Sequence, residues 1–402
     1  MKKSFKAKRN RVLMRGFKIV GQIMTWPKPT LFTGVGSSLE LCSAIGQMGT
    51  RKVLIVTDAG LVKIGLLDDI EKKLTESGVE SVVYDGIEPD PTYDQTEAGL
   101  EVLQQNDCEA ILAVGGGSPI DAAKIIAARA TNDKSISKMA GLFKIRQECM
   151  PLYAIPTTAG TGSEVTVAAI VSDPVTHEKT PVMDPKLVPL MAALDASLMT
   201  GLPAAITAAT GMDALTHAIE AYISINASEE TDRYALAATK MVMTNLPVVY
   251  ANGQDLEARQ NMALASCFAG LAFTEASLGY VHAIAHNLGG YYHTPHGLAN
   301  AIVLPHILEF SKDSSTDRMA DLAVASGLQT GDESADELAE KLIDHIRSLM
   351  KAFEIPEKLD ALKEEDIPAI AKAALKEAHY NYPVPEYMEQ AQCEEILHKM
   401  RA

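Results

Sequence analysis

Two pairs of side chains stand four residues apart in segments with helical periodicity, and their types are those that bind metal ions. Asp213 and His217 form the first pair, and His282 and His286 form the second. Residues four apart lie on the same face of a helix, one turn from each other. Each pair can therefore offer two donor atoms to a single point, and the spacing alone treats both pairs alike.

His296 lies close to the second pair in the sequence. It follows Gly289-Gly290 and Thr294-Pro295, which we expect to turn the chain back towards that pair. Four of the ten histidines fall between positions 282 and 296, whereas five others are expected to be ordinary core or solvated residues (His177, His306, His345, His379, His398). Two buried pairs without a shared cation would carry a large desolvation cost. One oxygen and several nitrogen donors suit Fe(II), Zn(II) or another first-row ion, and a site with one open position is catalytic.

A glycine-rich segment, Gly115-Gly116-Gly117-Ser118, lies between a predicted strand and a predicted helix that Pro119 and Asp121 open. Glycines let the backbone approach a pyrophosphate, and the N–H groups at the helix start complement its charge. The segment lacks the GxGxxG spacing of the usual dinucleotide motif. A tight turn without a ligand therefore remains an alternative.

Other polar residues at predicted strand ends fit a nucleotide. Asp58 follows the first strong strand, where an acid can accept hydrogen bonds from a ribose and repel a 2′-phosphate, so NAD is favoured over NADP. An N-cap aspartate is the alternative. Thr157, Thr158 and Thr161 add hydroxyl donors after another strand. Lys179 can reach a cofactor hydroxyl or phosphate, although a solvated lysine explains it as well.

The elements that position these residues change type along the chain. The first half alternates apolar strands with helical patterns, which predicts βαβ units and a parallel sheet (strands at 53–56, 79–84, 110–114 and 153–156). Beyond residue 195 the periodicity is helical throughout (213–223, 231–245, 256–274 and 335–353). The sequence thus predicts a basic arm over 1–28, a dinucleotide-binding α/β domain over 29–195 and an all-helical metal domain over 196–402.

Composition limits the classes of partner. The 402 residues carry a net charge of −16, which argues against nucleic-acid binding, and no apolar run is long enough to span a membrane. Five widely spaced cysteines favour free thiols in a reducing cytoplasm over disulfides or a thiolate metal site. The basic arm can be a solvated arm, a membrane or subunit contact, or a transit-like peptide.

Four segments together resemble the iron-containing (group III) alcohol dehydrogenase family, which is related to lactaldehyde reductase, glycerol dehydrogenase and dehydroquinate synthase. In chain order they read GGGSPIDAAK, PTTAGTGSEVT, GMDALTHAIEAY and HAIAHNLGGYYHTPHG. The last two are highly specific, whereas the glycine-rich one is not. The resemblance runs from about Pro29 to the C-terminus. It implies a dehydroquinate synthase-like fold, with a Rossmann-like parallel sheet followed by an all-α domain.

The resemblance also assigns roles. It implies metal ligation by Asp213, His217, His282 and His296, and it places His286 near the nicotinamide and substrate as a proton relay. It implies NAD(P) contacts for a larger set of residues (Asp58, Gly115, Gly116, Gly117, Ser118, Thr157, Thr158, Thr161, Lys179). We add Asp121 to that set. Relatives often carry Asn where this chain has Asp90, so an additional acid is expected near the cofactor.

The implied reaction is reversible hydride transfer between a primary alcohol, with its aldehyde, and NAD. The implied assembly is a homodimer or a larger homo-oligomer. A dehydroquinate-synthase-like or glycerol-dehydrogenase-like enzyme on the same framework is the alternative. Phe273, Leu278 and Tyr291 are candidates for the substrate pocket wall, although core packing explains each of them equally.

Overall fold

The computed structural model describes residues 26–175 and 179–402. The predicted basic arm therefore lies almost wholly outside the described residues. By their contacts, the described residues form two compact units. An α/β unit comprises residues 26–202 and 254–267, and a helical unit comprises residues 203–253 and 268–402. Each unit is described by itself.

The α/β unit contains two sheets. The strands are β1 (Thr30–Thr33), β2 (Lys52–Val56), β3 (Glu80–Tyr84), β4 (Ala110–Gly115), β5 (Gly141–Leu142), β6 (Leu152–Pro156), β7 (Ala168–Ser172), β8 (Lys179–Met183) and β9 (Met191–Leu194). Six parallel strands pair in the order β1-β9-β6-β4-β2-β3, and three further strands form a small sheet in the order β5-β8-β7. The helices that begin in this unit are α1 (Ser37–Gln47), α2 (Ala59–Lys63), α3 (Asp68–Glu76), α4 (Tyr93–Gln105), α5 (Gly117–Thr131), α6 (Ile136–Met139) and α9 (Leu256–Ala276).

Helices cover both faces of the six-stranded sheet. Alternate residues of a strand point to opposite faces, so Val53 and Ile55 of β2 join an apolar cluster with α1 and α3, whereas Leu54 and Val56 join a second cluster with α4 and α5. Strands buried on both faces appear in the sequence as continuous apolar runs. The predicted strands and the parallel sheet are confirmed.

The structure differs from the sequence prediction in three respects within this unit. Strands β1 and β9 of the six-stranded sheet were not predicted. The small sheet was not predicted either: β5 has only two residues, and β7 alternates buried with half-buried residues. The contacts also divide the chain after Leu202 rather than after Asp195, and they group 254–267 with the α/β unit. Side chains of α9 explain that grouping, since Gln260 donates to the carbonyl of Leu194 at 2.9 Å.

The helical unit is built around long helices, which are α7 (Ala204–Ile223), α8 (Glu229–Ala251), α10 (Tyr280–Tyr292), α11 (His296–Ala325), α12 (Ala335–Ala352), α13 (Ile367–Asn381) and α14 (Gln390–Met400). They pack against each other, chiefly α7 with α8 and α11, α11 with α12, and α10 with α11 and α13. The predicted helical architecture is confirmed. No single helix in the described part of the chain is long and apolar enough to cross a membrane; α9 and α10 meet that test only as a pair bent by 104°.

The prediction of a turn at Gly289-Gly290 was wrong. Helix α10 runs through both glycines to Tyr292, and the chain turns at His293, which has a left-handed φ of 53°. Glycine in a helix costs about 1 kcal/mol relative to alanine, which is little for a helix that packs against two others. The chain still reverses before His296, three residues later than expected.

Candidate metal centre and cofactor-binding loops

Four predicted ligands converge in the helical unit. Asp213 and His217 lie one turn apart on α7, His282 lies near the start of α10, and His296 is the first residue of α11. One potential donor atom from each lies within 4.8 Å of every other. The first three side chains are at most 5% exposed, whereas the His296 side chain is 33% exposed. The structure therefore brings the four predicted residues together, and their role as metal ligands stays a prediction.

The spacing of the donor atoms fits a first-row metal ion. Oδ1 of Asp213 lies 3.9 Å from Nε2 of His217, 3.7 Å from Nε2 of His282 and 3.5 Å from Nε2 of His296. Metal bonds of about 2.0–2.2 Å would place the corners of a tetrahedron about 3.4 Å apart. The set is slightly wider than that, so it admits an ion with four protein ligands and somewhat longer bonds.

A carboxylate that the sequence analysis missed holds one ligand in place. Glu220 on α7 accepts a hydrogen bond from Nδ1 of His282 at 2.6 Å, and it also accepts from the backbone N–H groups of Gly279 and Val281. This contact fixes the tautomer of His282 so that its Nε2 faces the other ligands. Carboxylates in this position orient metal-binding histidines and increase their basicity.

The electrostatics of the cluster favour a cation. Burial raises the pKa of Asp213, but the imidazoles of His217, His296 and His282 outweigh that effect, and the resulting pKa lies below its usual range. Burial lowers the pKa of His282, but Glu220 and Asp213 outweigh it and raise the pKa to about 9. Since a metal ligand must be deprotonated, metal binding to this cluster displaces a proton.

His286, on the same helix as His282, has a different partner. Its Nδ1 lies 2.7 Å from Oε1 of Glu377 on α13, and the hydroxyl of Tyr382 donates to the same oxygen at 2.7 Å. Burial raises the pKa of Glu377, but His286 and Tyr382 outweigh it, so the pKa lies below its usual value and the carboxylate is ionised. The His286 ring also stacks on that of His296, with centroids 5.3 Å apart. The structure therefore separates the second sequence pair into residues with different surroundings.

Two more side chains border the ligands. The Phe273 ring stacks on His217 with centroids 4.4 Å apart, which gives this candidate wall residue a place beside the centre. Asn300, which the sequence analysis missed, is fully buried one turn after His296 and contacts three of the ligand atoms. Its Oδ1 has no hydrogen-bond partner among the described residues. An orphaned oxygen beside four donor atoms fits a centre that takes a cation.

The predicted nucleotide-binding residues lie in the α/β unit, at one edge of the six-stranded sheet. Strands β2, β4 and β6 are neighbours and parallel, so the residues that follow their carboxyl ends share that edge. These are Asp58 after β2, Gly116 to Ser118 after β4 and Thr157 to Thr161 after β6. In open α/β sheets, nucleotides bind outside the carboxyl ends of the strands.

The two loops that follow β4 and β6 pack closely. Thr157 donates its N–H to the carbonyl of Gly115 at 2.9 Å. Gly115 has a φ of +152°, and a Cβ there would lie 2.6 Å from Cγ of Pro119. A Cβ on Gly117 would lie 2.7 Å from Cγ2 of Thr161. The backbone just before and at the start of α5 therefore consists of glycines without side chains, as a pyrophosphate contact requires.

Three acids predicted to contact the cofactor have partners within the chain. Asp58 caps α2 by accepting from the N–H of Leu61 at 3.0 Å. Asp90 pairs with Lys179 at 2.7 Å. Asp121 accepts hydrogen bonds from the hydroxyl of Ser163 and the N–H of Ile170. Their cofactor contacts stay predictions. Among the three, Asp121 is the acid whose two carboxylate oxygens both accept a hydrogen bond from the chain.

Comparisons with known proteins identify the family. The sequence model for iron-containing alcohol dehydrogenase matches residues 28–196, and that for the C-terminal region of the Fe-containing alcohol dehydrogenase family matches residues 207–401. The chain is similar to a 1,3-propanediol dehydrogenase from Citrobacter freundii, with 43% identity over 355 residues that cover 87% of this chain and 90% of that protein. It is 39% identical to an NAD-dependent methanol dehydrogenase from Bacillus methanolicus over 351 residues, 87% of this chain and 92% of that protein.

A solved structure agrees with these matches. An alcohol dehydrogenase from Oenococcus oeni superposes with a TM-score of 0.91 at 35% identity, over 94% of this chain and 99% of that chain. The resemblance expected from the four sequence motifs is therefore confirmed. The chain belongs to the iron-containing alcohol dehydrogenase family and is a metal-dependent oxidoreductase that acts on CH–OH groups.

Proposed function

We propose that this chain catalyses reversible hydride transfer between a small primary alcohol, with its aldehyde, and NAD, assisted by one Fe(II) or Zn(II) ion. The ion would be held by Asp213, His217, His282 and His296. The observation that carries the proposal is the convergence of one carboxylate oxygen and three imidazole nitrogens at a largely buried point, in a chain of this family. Relatives named for methanol and 1,3-propanediol support a small primary alcohol as substrate.

The bound groups supply Lewis acidity, which lowers the pKa of an alcohol hydroxyl, and a nicotinamide that accepts hydride. The chain supplies orientation. Glu220 directs Nε2 of His282 towards the centre, and the ionised Asp213 gives the cluster a negative charge that offsets that of the cation. Phe273 shields one face of His217 from water.

We assign the proton transfer of the reaction to His286. Its Nδ1 is hydrogen-bonded to Glu377. Nε2 is therefore the nitrogen that can take the proton of the substrate hydroxyl in alcohol oxidation and return it in aldehyde reduction. Glu377 stabilises the charged imidazolium, and Tyr382 holds Glu377 through a second hydrogen bond. General acid–base catalysis of this kind typically contributes about 10²–10⁴-fold to a rate.

We assign the cofactor to the loops at the carboxyl ends of β2, β4 and β6. The backbone of Gly115 to Gly117, which carries no side chains, and the following Ser118 suit the pyrophosphate. The hydroxyls of Thr157, Thr158 and Thr161 add donors beside it. Asp58 disfavours a 2′-phosphate, which supports NAD over NADP. The ion pair between Asp90 and Lys179 places both predicted residues together, and we propose that Lys179 exchanges Asp90 for a cofactor oxygen.

We further propose a homodimer or a larger homo-oligomer that acts in the cytoplasm. All five cysteines are free thiols in the structure, which agrees with a reducing compartment. Light scattering during size-exclusion chromatography would give the oligomeric state, and a monomer at micromolar concentration would contradict that part of the proposal.

The function is tested by following NADH absorbance with anaerobically purified protein loaded with Fe(II) or Zn(II). We expect turnover of short primary alcohols with NAD, slower turnover with NADP, and aldehyde reduction with NADH. A chelated sample and the His282→Ala variant serve as controls and should be inactive. Failure to oxidise any primary alcohol when the metal is bound would contradict the substrate class. Full turnover after chelation would contradict the role of the metal.

A further inference from the structure

Asn300 occupies an unusual position among the ligand atoms. Its Nδ2 lies 2.7 Å from Oδ1 of Asp213, 3.2 Å from Nε2 of His282 and 3.1 Å from Nε2 of His296. One carboxamide nitrogen thus contacts the atoms of three different ligands. The residue is 0% exposed, so water does not compete for these contacts.

The two imidazole contacts cannot coexist with a bound cation. Nε2 of a histidine whose Nδ1 carries the proton has one lone pair, which either accepts a hydrogen bond or binds a metal. Nδ1 of His282 donates to Glu220, so Nε2 is limited in this way once the ring is neutral, as a metal ligand must be. Metal binding at His282 and His296 therefore takes away two of the three partners of Nδ2, and it would leave N–H donors facing a positive charge.

The other end of the carboxamide already lacks a partner. Oδ1 of Asn300 is buried and makes no hydrogen bond with any described residue. An unsatisfied buried acceptor costs about 1–3 kcal/mol. A half-turn of the carboxamide exchanges nitrogen for oxygen with almost no change of shape. When a cation is present, it would turn the unpartnered Oδ1 towards the ion and the N–H donors away from it, and Nδ2 would then take the place of Oδ1.

We propose that Asn300 is a further residue of the metal centre, and that on metal binding its carboxamide turns so that Oδ1 faces the ion as an additional oxygen donor. In the metal-free protein Nδ2 of the same side chain lies in contact with three ligand atoms. The helix positions this residue, because Asn300 and His296 lie four residues apart on α11, the same spacing as Asp213 and His217 on α7. The donor atoms are also slightly wider apart than in a tetrahedron with bonds of about 2.1 Å, which suits longer bonds such as those of an ion with more than four donors.

An additional oxygen donor has a consequence for metal selectivity. Zn(II) is satisfied by four ligands in a tetrahedron, whereas Mn(II) prefers oxygen donors and a larger coordination number. Loss of Oδ1 should therefore weaken Mn(II) binding more than Zn(II) binding. A residue that only holds the other ligands in place would weaken both ions alike.

The test measures dissociation constants of Mn(II) and Zn(II) by competition with a chelating dye, on metal-free protein. For Asn300→Leu, which has nearly the same size and no donor, we expect Mn(II) affinity to fall about tenfold or more beyond any change for Zn(II). Asn300→Asp keeps an oxygen in place and should bind Mn(II) at least as tightly as the wild type. Asn245→Leu on α8 is the matched control, since its amide bonds to Met241 within its own helix.

The outcomes are separable. Equal losses for both ions, no loss in Asn300→Leu, or weaker Mn(II) binding by Asn300→Asp would each overturn the proposal. If Asn300→Leu does not fold, the Asn300→Asp result decides alone. The inference rests on the proposed metal centre, which His282→Ala tests separately: if that variant binds both ions as the wild type does, the centre itself is wrong, whatever Asn300 does.

Discussion

A Cβ atom on Gly297 would lie 2.2 Å from the carbonyl oxygen of Ala209, because the first turn of α11 meets the backbone of α7 at this point. His296, the ligand with the most exposed side chain, directly precedes Gly297. The close approach of the two helices therefore sets the distance between His296 and the ligands on α7.

Gly297→Ala should push the two helices apart and weaken metal binding by about tenfold or more, since displaced ligands lose coordination geometry. The matched control is Gly290→Ala on α10, where a Cβ would meet nothing within 4 Å. That control should keep its metal affinity and gain roughly 0.5–1 kcal/mol in stability from helix propensity. Isothermal titration with Zn(II) measures both variants, and equal affinities would contradict the prediction.

Glu220→Gln should lower metal affinity by roughly 10–100-fold. The neutral amide cannot accept from Nδ1 of His282 and from two backbone N–H groups while keeping an ionic contact. Titration with Zn(II) against a competing chelator would show the change. The same substitution at the exposed Glu101 of α4 is the control and should leave the affinity unaltered. Unchanged affinity in Glu220→Gln would refute the orienting role of this carboxylate.

His286→Gln should retain its metal and lower kcat by about 10²–10⁴-fold. The reason is that His286 bonds to Glu377 and has no partner among the four ligand residues in the described hydrogen bonds. Elemental analysis and steady-state kinetics on the same sample separate the two effects. Loss of the metal in this variant would reassign His286 as a ligand. Glu377→Gln should also keep its metal and give a smaller loss of kcat.

His379 should make the unfolding free energy depend on pH. Burial lowers the pKa of this imidazole from 6.5 to about 4, and its Nε2 bonds to the hydroxyl of Tyr280 at 3.1 Å. The unfolded chain binds this proton more readily than the folded chain does. Stability is therefore fully present above about pH 6.5 and is lost as the pH falls towards 4.

Urea unfolding of metal-free protein at pH 7 and pH 5 measures this dependence. The wild type should lose more stability between the two pH values than His379→Gln, which has no imidazole to protonate. Other titrating groups contribute equally to both proteins, so the difference between them isolates His379. An identical loss in both proteins would show that His379 protonates without cost in the folded state.

The sequence predicted the parts of the site that depend on local geometry. Asp213 and His217 meet because they are one helical turn apart, and the loops after β2, β4 and β6 meet because neighbouring parallel strands end at one edge. The turn before His296 was predicted, but its position was wrong, because it was expected at Gly289 and Gly290. Helix packing outweighed their low propensity, and the helix continued to Tyr292.

The residues that the sequence analysis missed act across long distances along the chain. Glu220 lies 62 residues from His282, and Glu377 lies 91 residues from His286. Glutamates on helices are usually solvated, so residue type alone gave no reason to select either. Asn300 was the one that spacing could have revealed, because it repeats the four-residue interval after His296, but an amide is an uncommon metal ligand.

The most direct test of the central claim measures metal content and NADH formation on the same anaerobically purified samples of wild type and His282→Ala. The account predicts about one first-row ion per chain and alcohol-dependent NADH formation in the wild type, with both lost in the variant. Circular dichroism would confirm that the variant is folded. A folded variant that lacks the metal and still oxidises primary alcohols at the wild-type rate would contradict the account.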